Sequence, residues 1–180
     1  MKRILIGIIF TLLATQSAFA LSVSANGGAY IPTGKYGDIF DVGYGYGLSL
    51  EQNIILFTSL KLDYSRYHAQ GKSGGMYSGA DMQGDSFEAM IKFAPWDFII
   101  EPYIAAGGGY YNNRIEIANT KHTQDGFGFV GEAGLNFNFF IMSAGLKAKY
   151  SAPHLSGGGY SDSAESFSVG ATLSVHIPLL

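Results

Sequence analysis

Charged side chains recur on one face of several alternating segments, and their types suit a paired network better than a catalytic group. Four bases and four acids share this face. Charges enclosed away from water are tolerated when they are paired and hydrogen-bonded, so equal numbers of each sign predict a structural ion-pair network. The eight residues are Lys61, Asp63, Glu88, Lys92, Glu101, Glu132, Lys147 and Lys149.

Two hairpins allow specific pairs within this set to be predicted. Residues directly opposite each other on antiparallel strands are close enough to interact, so the position of the turn fixes which charges meet. We place one turn between residues 96 and 97 and the other between residues 139 and 140. The predicted pairs are Lys92 with Glu101 and Glu132 with Lys147.

Other chemistry-bearing residues do not form a recognisable site. The chain has no cysteine, which excludes disulfides, a thiolate nucleophile and a thiolate metal site, and its four histidines show no metal-ligand spacing. The glycine runs at 43–47 and 107–109 are not followed by a helical pattern, so small residues on a crowded strand face explain them better than a phosphate loop. We therefore expect no metal ion and no cofactor.

The first twenty residues have the pattern of a cleaved signal peptide. Lys2 and Arg3 precede an apolar run over 4–13, and residues 18–20 read Ala-Phe-Ala. We expect a single domain over 21–180. Without Lys2 and Arg3 it has 9 basic and 14 acidic residues, a formal charge of −5. That charge argues against a nucleic-acid partner.

Period-two alternation runs through the whole of this domain, most regularly over 164–177 at its end, and predicts strands. Long and short connections alternate between the strands, which places all long loops at one end of an up-and-down arrangement, as in membrane barrels. The long loops after the first are expected at 69–85, 112–126 and 153–163. The predicted strands are 21–31, 42–50, 54–68, 86–93, 98–111, 127–137, 141–152 and 164–177.

The orientation of the two strand faces follows from size and charge. An eight-stranded barrel has an interior just wide enough to be filled by side chains, so the many large apolar residues cannot all point inward. Lysines on a lipid face would cost roughly 2–4 kcal/mol each near the midplane. We therefore predict an all-β, eight-stranded antiparallel up-and-down transmembrane β-barrel. Its lumen is closed by paired charges, and its last strand pairs with 21–31.

The chain resembles the eight-stranded outer membrane barrels typified by the OmpA transmembrane domain, OmpX and the opacity-type porin family. The resemblance covers the domain and rests on the proline-tyrosine, glycine-rich stretch 102–111 and on Tyr-Gly-Tyr-Gly-Leu-Ser-Leu at 44–50. It implies export to the bacterial outer membrane, contact with outer membrane lipid and lipopolysaccharide, and insertion by the barrel-assembly machinery. The last strand is similar to the assembly signal of such proteins, although the chain ends in Leu180 where they commonly end in Phe.

Function is expected in the loops, because a rigid barrel leaves binding to its connecting segments. We predict a structural or surface-interaction role, adhesin-like, with a host or envelope ligand at the loops and no enzymatic activity. A small porin, a lipid A deacylase and a soluble lipocalin-like barrel remain as alternatives. The deacylases of this barrel class use a His-x-Ser-Asn motif. Here His154 and Ser156, with Glu165 as the carboxylate, are followed by Gly157 in place of Asn, in a predicted loop.

Overall fold

The computed structural model describes residues 20–55, 57–74, 78–96, 99–117, 120–157 and 160–178. Eight long strands, one short strand and one short helix make up these residues. No helix among them is long and apolar enough to cross a membrane. The elements are β1 Ala20–Pro32, α1 Gly34–Ile39, β2 Gly43–Ile55, β3 Thr58–Gln70, β4 Asp81–Phe93, β5 Ile100–Ile117, β6 Thr120–Phe139, β7 Met142–Gly157, β8 Tyr160–Ser163 and β9 Ser166–Pro178.

The eight long strands close into one antiparallel ring, each pairing with the next in the chain, with β9 between β7 and β1. The predicted fold class is confirmed, and β9 pairs with β1 from Leu21 opposite Ile177 to Ile31 opposite Phe167. Strand β8 pairs with β7 in the same register as β9, so it extends the eighth strand of the ring on the other side of residues 164–165. The predicted signal peptide lies outside the described residues apart from Ala20, the first residue of β1.

The ladder register shows how strongly the strands tilt. Partners followed once round the ring from Leu21 lead to Ile31, a displacement of ten residues along β1. Such a stagger corresponds to strands inclined at roughly 40° to the barrel axis. The full path is Leu21, Gln52, Leu60, Ile91, Ala106, Gly131, Tyr150, Phe167 and Ile31.

The faces of the strands point as the alternation predicts. Large apolar side chains lie outside, where Phe129 is 82% exposed and Ile104 is 62% exposed, while charged side chains are buried inside, where Lys61 is 5% exposed. Glycine permits the crowding of the lumen, since a Cβ added to Gly107 would overlap the carbonyl oxygen of Ala89 on the neighbouring strand.

The short connections gather at one end, here called the turn end, and the opposite end is called the rim. Strand β2 continues to Ile55, which is opposite Thr58 of β3, so the predicted turn at 51–53 is wrong and Glu51 lies on a strand. At the rim, the predicted loop 69–85 is too long only at its ends, because residues 69–70 belong to β3 and 81–85 to β4. The loops predicted at 112–126 and 153–163 are largely wrong. Strand β4 begins at Asp81, and β5 and β6 continue to Ile117 and from Thr120.

Near the rim, polar and apolar residues exchange the inner and outer faces of the strands. On β5 the outward residues are apolar as far as Tyr110, and the next two outward residues are Asn112 and Arg114. The inward residues change in the opposite sense, because Ile115 and Ile117 pack against an apolar cluster inside the rim. Below this level the barrel is polar inside and apolar outside, and above it the arrangement is that of a water-soluble protein.

Candidate functional site

Lys92 is the centre of the ion-pair group nearest the turn end. Its Nζ lies 2.8 Å from Glu51 Oε1 and 2.7 Å from Glu101 Oε1. The amide of Asn136 donates to Glu101 Oε1 at 3.1 Å, and that of Asn138 donates to Glu101 Oε2 at 3.3 Å. One lysine is therefore shared by two carboxylates, and amide groups donate to both oxygens of Glu101.

Glu132 is the centre of the next group. Lys61 donates to its Oε1, the hydroxyl of Tyr103 donates to the same oxygen at 2.9 Å, and Lys147 Nζ lies 3.3 Å from its Oε2. Lys147 also lies 3.2 Å from Asp63. Because β3 and β6 stand on different sides of the ring, the bond from Lys61 to Glu132 crosses the lumen.

The third group is the pair of Lys149 and Glu88, whose Nζ and Oε2 are 2.8 Å apart. The lumen thus brings together all eight residues of the predicted network, and all but Glu101 are buried. The structure adds Glu51, which the sequence reading had placed in a turn. With Glu51 included, five carboxylates face four lysines, and each lysine has at least one carboxylate within 3.3 Å.

Both predicted pairs are in contact, although the predicted registers are wrong. In the ladder Lys92 is opposite Ala105 rather than Glu101, and Glu132 is opposite Lys149 rather than Lys147. The turns therefore lie further along the chain than predicted. The contacts form all the same because lysine side chains are long enough to reach diagonal neighbours on the tilted strands.

An apolar plug fills the lumen between these ion pairs and the rim. Its rings include Tyr30 and Tyr67, stacked with centroids 4.3 Å apart, and the Tyr67 hydroxyl donates to Asn113. The plug is defined by Tyr30, Tyr36, Phe40, Tyr67, Ala69, Ala80, Met82, Tyr111, Leu155 and Ala164.

Helix α1 and residue Phe40 after it close the plug from above. The hydroxyl of Tyr36 on the helix donates to Gln124 of β6, and Phe40 is 2% exposed. Lys72, in the connection between β3 and β4, donates through Nζ to the Gly37 carbonyl at 2.6 Å and through its backbone N–H to that of Ile39 at 2.9 Å. The first connection of the rim is therefore folded into the barrel rather than extended above it.

Two rows of residues mark the change of polarity on the outer surface. An aromatic row of Tyr64, Phe87, Tyr110 and Phe127 runs along ladder partners, and a polar row of Arg66, Asp85, Asn112, Asp125 and Ser156 runs beside it on the rim side. Hydrogen bonds join the two rows. They run from Tyr64 to Asp85 at 2.8 Å and from Tyr110 to Asp125 at 3.1 Å.

The residues considered for deacylation lie on a strand instead of the predicted loop. His154 and Ser156 are both exposed on the outer face of β7, with ladder partners Phe127 and Asp125 on β6. Within the described part of the chain, His, Asp and Glu form no group of three that could hold a metal ion. His176, by contrast, faces the lumen at the turn end, where its Nδ1 is 2.6 Å from Ser22 Oγ.

The ring of eight tilted strands with a polar, filled interior is the fold of the small outer membrane β-barrels. Neisserial surface protein A has this fold, with a TM-score of 0.70 and 14% identity over 86% of this chain and 96% of that one. OprG from Pseudomonas aeruginosa is similar with a TM-score of 0.59 and 13% identity, covering 90% of this chain and 99% of that one.

The attachment invasion locus protein Ail of Yersinia pestis is also similar in structure. Its TM-score is 0.57 and its identity 12%, over 87% of this chain and 99% of that one. No protein-family model and no curated protein matches the sequence. The similarity is therefore one of fold, recognised from strand number, pairing and closure.

Proposed function

We propose that the chain is an integral protein of the bacterial outer membrane, exported with residues 1–20 as its signal peptide, with the turn end in the periplasm and the rim at the cell surface. The outward apolar residues of β5 run from Ile100 to Tyr110, ten positions that span roughly 25 Å along the axis. This height matches the apolar band of outer membrane barrels. The resemblance of fold to solved outer membrane proteins supports the same location.

We also propose that the lumen conducts no ions. Two closures of different chemistry lie in series, since the bond from Lys61 to Glu132 crosses the lumen and the apolar plug fills it above. A hydrated ion would have to break buried ion pairs and also displace packed aromatic rings. Refolded protein in a planar bilayer is expected to give no unitary current steps, and a steady unitary conductance would contradict this.

The rim is proposed to act by binding, and the packing of the long β5–β6 hairpin against the apolar plug is the observation that carries this proposal. Seven residues of β5 continue past Tyr110, so the hairpin of β5 and β6 stands roughly 18 Å above the aromatic row. Helix α1 packs inside it, and Ile115 and Ile117 contact the plug. A surface held in one conformation loses little entropy on binding, which favours a surface-interaction role, adhesin-like, over a purely structural one.

The charge of the rim restricts the ligand. Eight acids and five bases lie on the rim side of the aromatic row, a formal charge of −3, which disfavours a polyanionic ligand such as a sulfated glycan. We propose an uncharged or basic ligand on a host surface or in the envelope. The residues are Asp38, Asp41, Asp81, Asp85, Glu116, Asp125, Asp162 and Glu165, against Lys35, Arg66, Lys72, Arg114 and Lys121.

Shortening the β5–β6 hairpin tests the binding role. Asn113 and Gln124 are ladder partners, so residues 114–123 can be replaced by Asn-Gly, which closes the hairpin while keeping the bonds of Tyr67 and Tyr36. The shortened protein should keep its heat-dependent gel mobility, and bacteria carrying it should adhere several-fold less to cultured epithelial cells. The matched control keeps the hairpin at full length and replaces only Arg114 and Lys121 by Ser.

The control separates two ways of losing adhesion. If the hairpin binds through shape and apolar or hydrogen-bonding contacts, the Ser variants adhere like the parent and only the shortened protein fails. Unchanged adhesion of the shortened protein would contradict a binding role for this hairpin. Recognition of the last strand by the barrel-assembly machinery and contact of the aromatic row with lipopolysaccharide remain part of the proposal.

We propose further that the chain is not an enzyme. Its nearest match to a deacylase motif has Gly157 where the motif has Asn, and Gly157 has a φ of 153°. His154 and Ser156 nevertheless share the outer face of β7, so the point is worth testing directly. Mass spectra of lipid A from cells with and without the protein should show the same acyl chains, and loss of an acyl chain in the presence of the protein would establish deacylation.

A further inference from the structure

Gln52 lies on the outer face of β2, among aliphatic residues. The outward residues before and after it on the strand are Leu50, which is 47% exposed, and Ile55, which is 62% exposed. Its ladder partners are Leu21 on β1 and Leu60 on β3, and both of them also point outward. A primary amide therefore projects from an aliphatic patch that spans three strands.

The level of this amide on the barrel follows from the ladder register. Ladder partners lead from Gln52 through Leu60 and Ile91 to Ala106 on β5. Each of these steps rises roughly 3 Å toward the rim because the strands are tilted. Ala106 is six residues above Ile100, where the apolar band of β5 begins, a height of roughly 15 Å. Gln52 therefore lies roughly 6 Å inside the lower edge of the apolar band.

This position makes Gln52 an exception on the outer surface. Between the aromatic row and the turn end, no other outward strand residue in the described part of the chain carries an amide or a charge. Within the same residues, the Gln52 amide makes no side-chain hydrogen bond. Hydrocarbon offers no hydrogen-bond partner, so an unpaired amide at this level is unfavourable. A polar partner inside the membrane would remove that cost.

We propose that this face of the barrel binds a second copy of the chain, with the Gln52 amides of the two copies hydrogen-bonded to each other. The inference rests on the proposed membrane location. A two-fold axis along the membrane normal brings the two amides to the same depth. Primary amides are self-complementary, since each can donate an N–H to the carbonyl oxygen of the other. Lipid acyl chains supply neither group, and the aliphatic residues around Gln52 allow two such walls to pack closely.

Energy transfer between labelled copies in lipid vesicles measures the association. Arg114→Cys gives an exposed site near the rim for donor and acceptor dyes, away from the proposed contact. Transfer should fall as the protein is diluted with lipid, and Gln52→Leu should lower the association constant about tenfold. The matched control is Leu135→Ala on β6, across the ring, which should leave the constant unchanged. Transfer at the chance level at every dilution, or an unchanged constant in Gln52→Leu, would overturn the proposal.

Cross-linking locates the contact on the barrel. Ile55 and Phe139 point outward near the turn end on opposite walls, and they are 62% and 58% exposed. A flexible bismaleimide that enters the bilayer should link copies carrying Ile55→Cys into dimers and leave copies carrying Phe139→Cys monomeric. Adding Gln52→Leu to Ile55→Cys should lower the yield of dimer. Dimers formed only through Phe139→Cys, or a yield that Gln52→Leu does not change, would contradict the assigned face.

The same vesicles separate failure of this inference from failure of the proposed location. A barrel that enters the vesicles with heat-dependent gel mobility but remains monomeric would overturn the dimer and leave the membrane location standing. A chain that does not enter the vesicles at all would contradict both.

Discussion

The two halves of the lumen are closed in opposite ways. The half nearer the turn end is filled by lysines and carboxylates, such as Lys61 and Glu132, whereas the half nearer the rim is filled by the apolar plug around Phe40 and Tyr67. The outer surface changes at the same level, from the aromatic row to the polar row. What surrounds each half therefore determines what fills it.

The filling of the lumen and the character of the outer surface change at the same level, and this explains why one chain carries two kinds of core. Within the apolar band the outward positions are taken by lipid-facing residues, so the polar residues of each strand turn inward and have to satisfy one another. Above the band the outward positions face water, and the hydrophobic effect can fold an ordinary apolar core inside the strands. The chain behaves as a membrane barrel that carries a small water-soluble cap on the same strands.

Removing one charge from the charged half should have the largest effect. Glu132→Leu leaves Lys61 without its nearest carboxylate and Lys147 with only Asp63, so the free energy of unfolding should fall by about 3–5 kcal/mol. Denaturant unfolding of the refolded barrel in lipid vesicles measures it. The matched control is Glu51→Leu, since Lys92 keeps Glu101 at 2.7 Å and the loss should be about 1 kcal/mol. Equal losses in both variants would show that the network is not cooperative.

Opening the apolar plug should have the next largest effect, and a more local one. Phe40→Ala leaves a cavity under α1 and should favour opening of the cap by about 3 kcal/mol, with little change in unfolding of the ring. Trypsin cleavage after Lys35 or Lys72 on intact cells reports that opening. Val42→Ala is the control, because Val42 is 64% exposed and its loss should leave cleavage almost unchanged. If Phe40→Ala instead destabilised the whole barrel, the plug and the ring would have to unfold as one cooperative unit.

Alanine substitutions at two glycines of the membrane-spanning strands should distinguish the crowded lumen from the open outer face. Gly107→Ala forces a Cβ into the neighbouring strand and should cost about 2 kcal/mol. Gly131→Ala, which adds a methyl group where no atom lies within 4 Å, should change stability by no more than about 0.5 kcal/mol. Comparing the two midpoints of unfolding in one lipid tests this, and similar losses at both sites would contradict the assigned faces.

The sequence predicts the barrel well because alternation reports which face meets an apolar surrounding. Strand number, closure of the last strand on the first, and the inward direction of the charged residues all follow from it. The prediction failed at 112–117 and 120–126, which are strands. At Tyr110 the apolar residues change faces, so the continuing period of two no longer shows one apolar face and looks like a polar loop.

Glu51 and the cap were missed for related reasons. Glu51, Gln52 and Asn53 together have the composition of a turn. Only the pairing of β2 with β3 as far as Ile55 and Thr58 shows that Glu51 lies on a strand and contacts Lys92. Helix α1 has six residues, two of them glycine, which is too short for a helical period to be seen. Its position depends on contacts with β6 and with the connection between β3 and β4, which are distant in sequence.

Labelling of single cysteines along β5 tests the change of polarity most directly, because the chain has no native cysteine. Ile104→Cys and Arg114→Cys both point outward, and Ile115→Cys points into the plug. A membrane-impermeant maleimide applied to intact cells should label Arg114→Cys rapidly, Ile104→Cys not at all and Ile115→Cys far more slowly than Arg114→Cys. Rapid labelling of Ile104→Cys would contradict the membrane boundary, and equal rates at 114 and 115 would contradict a closed apolar plug.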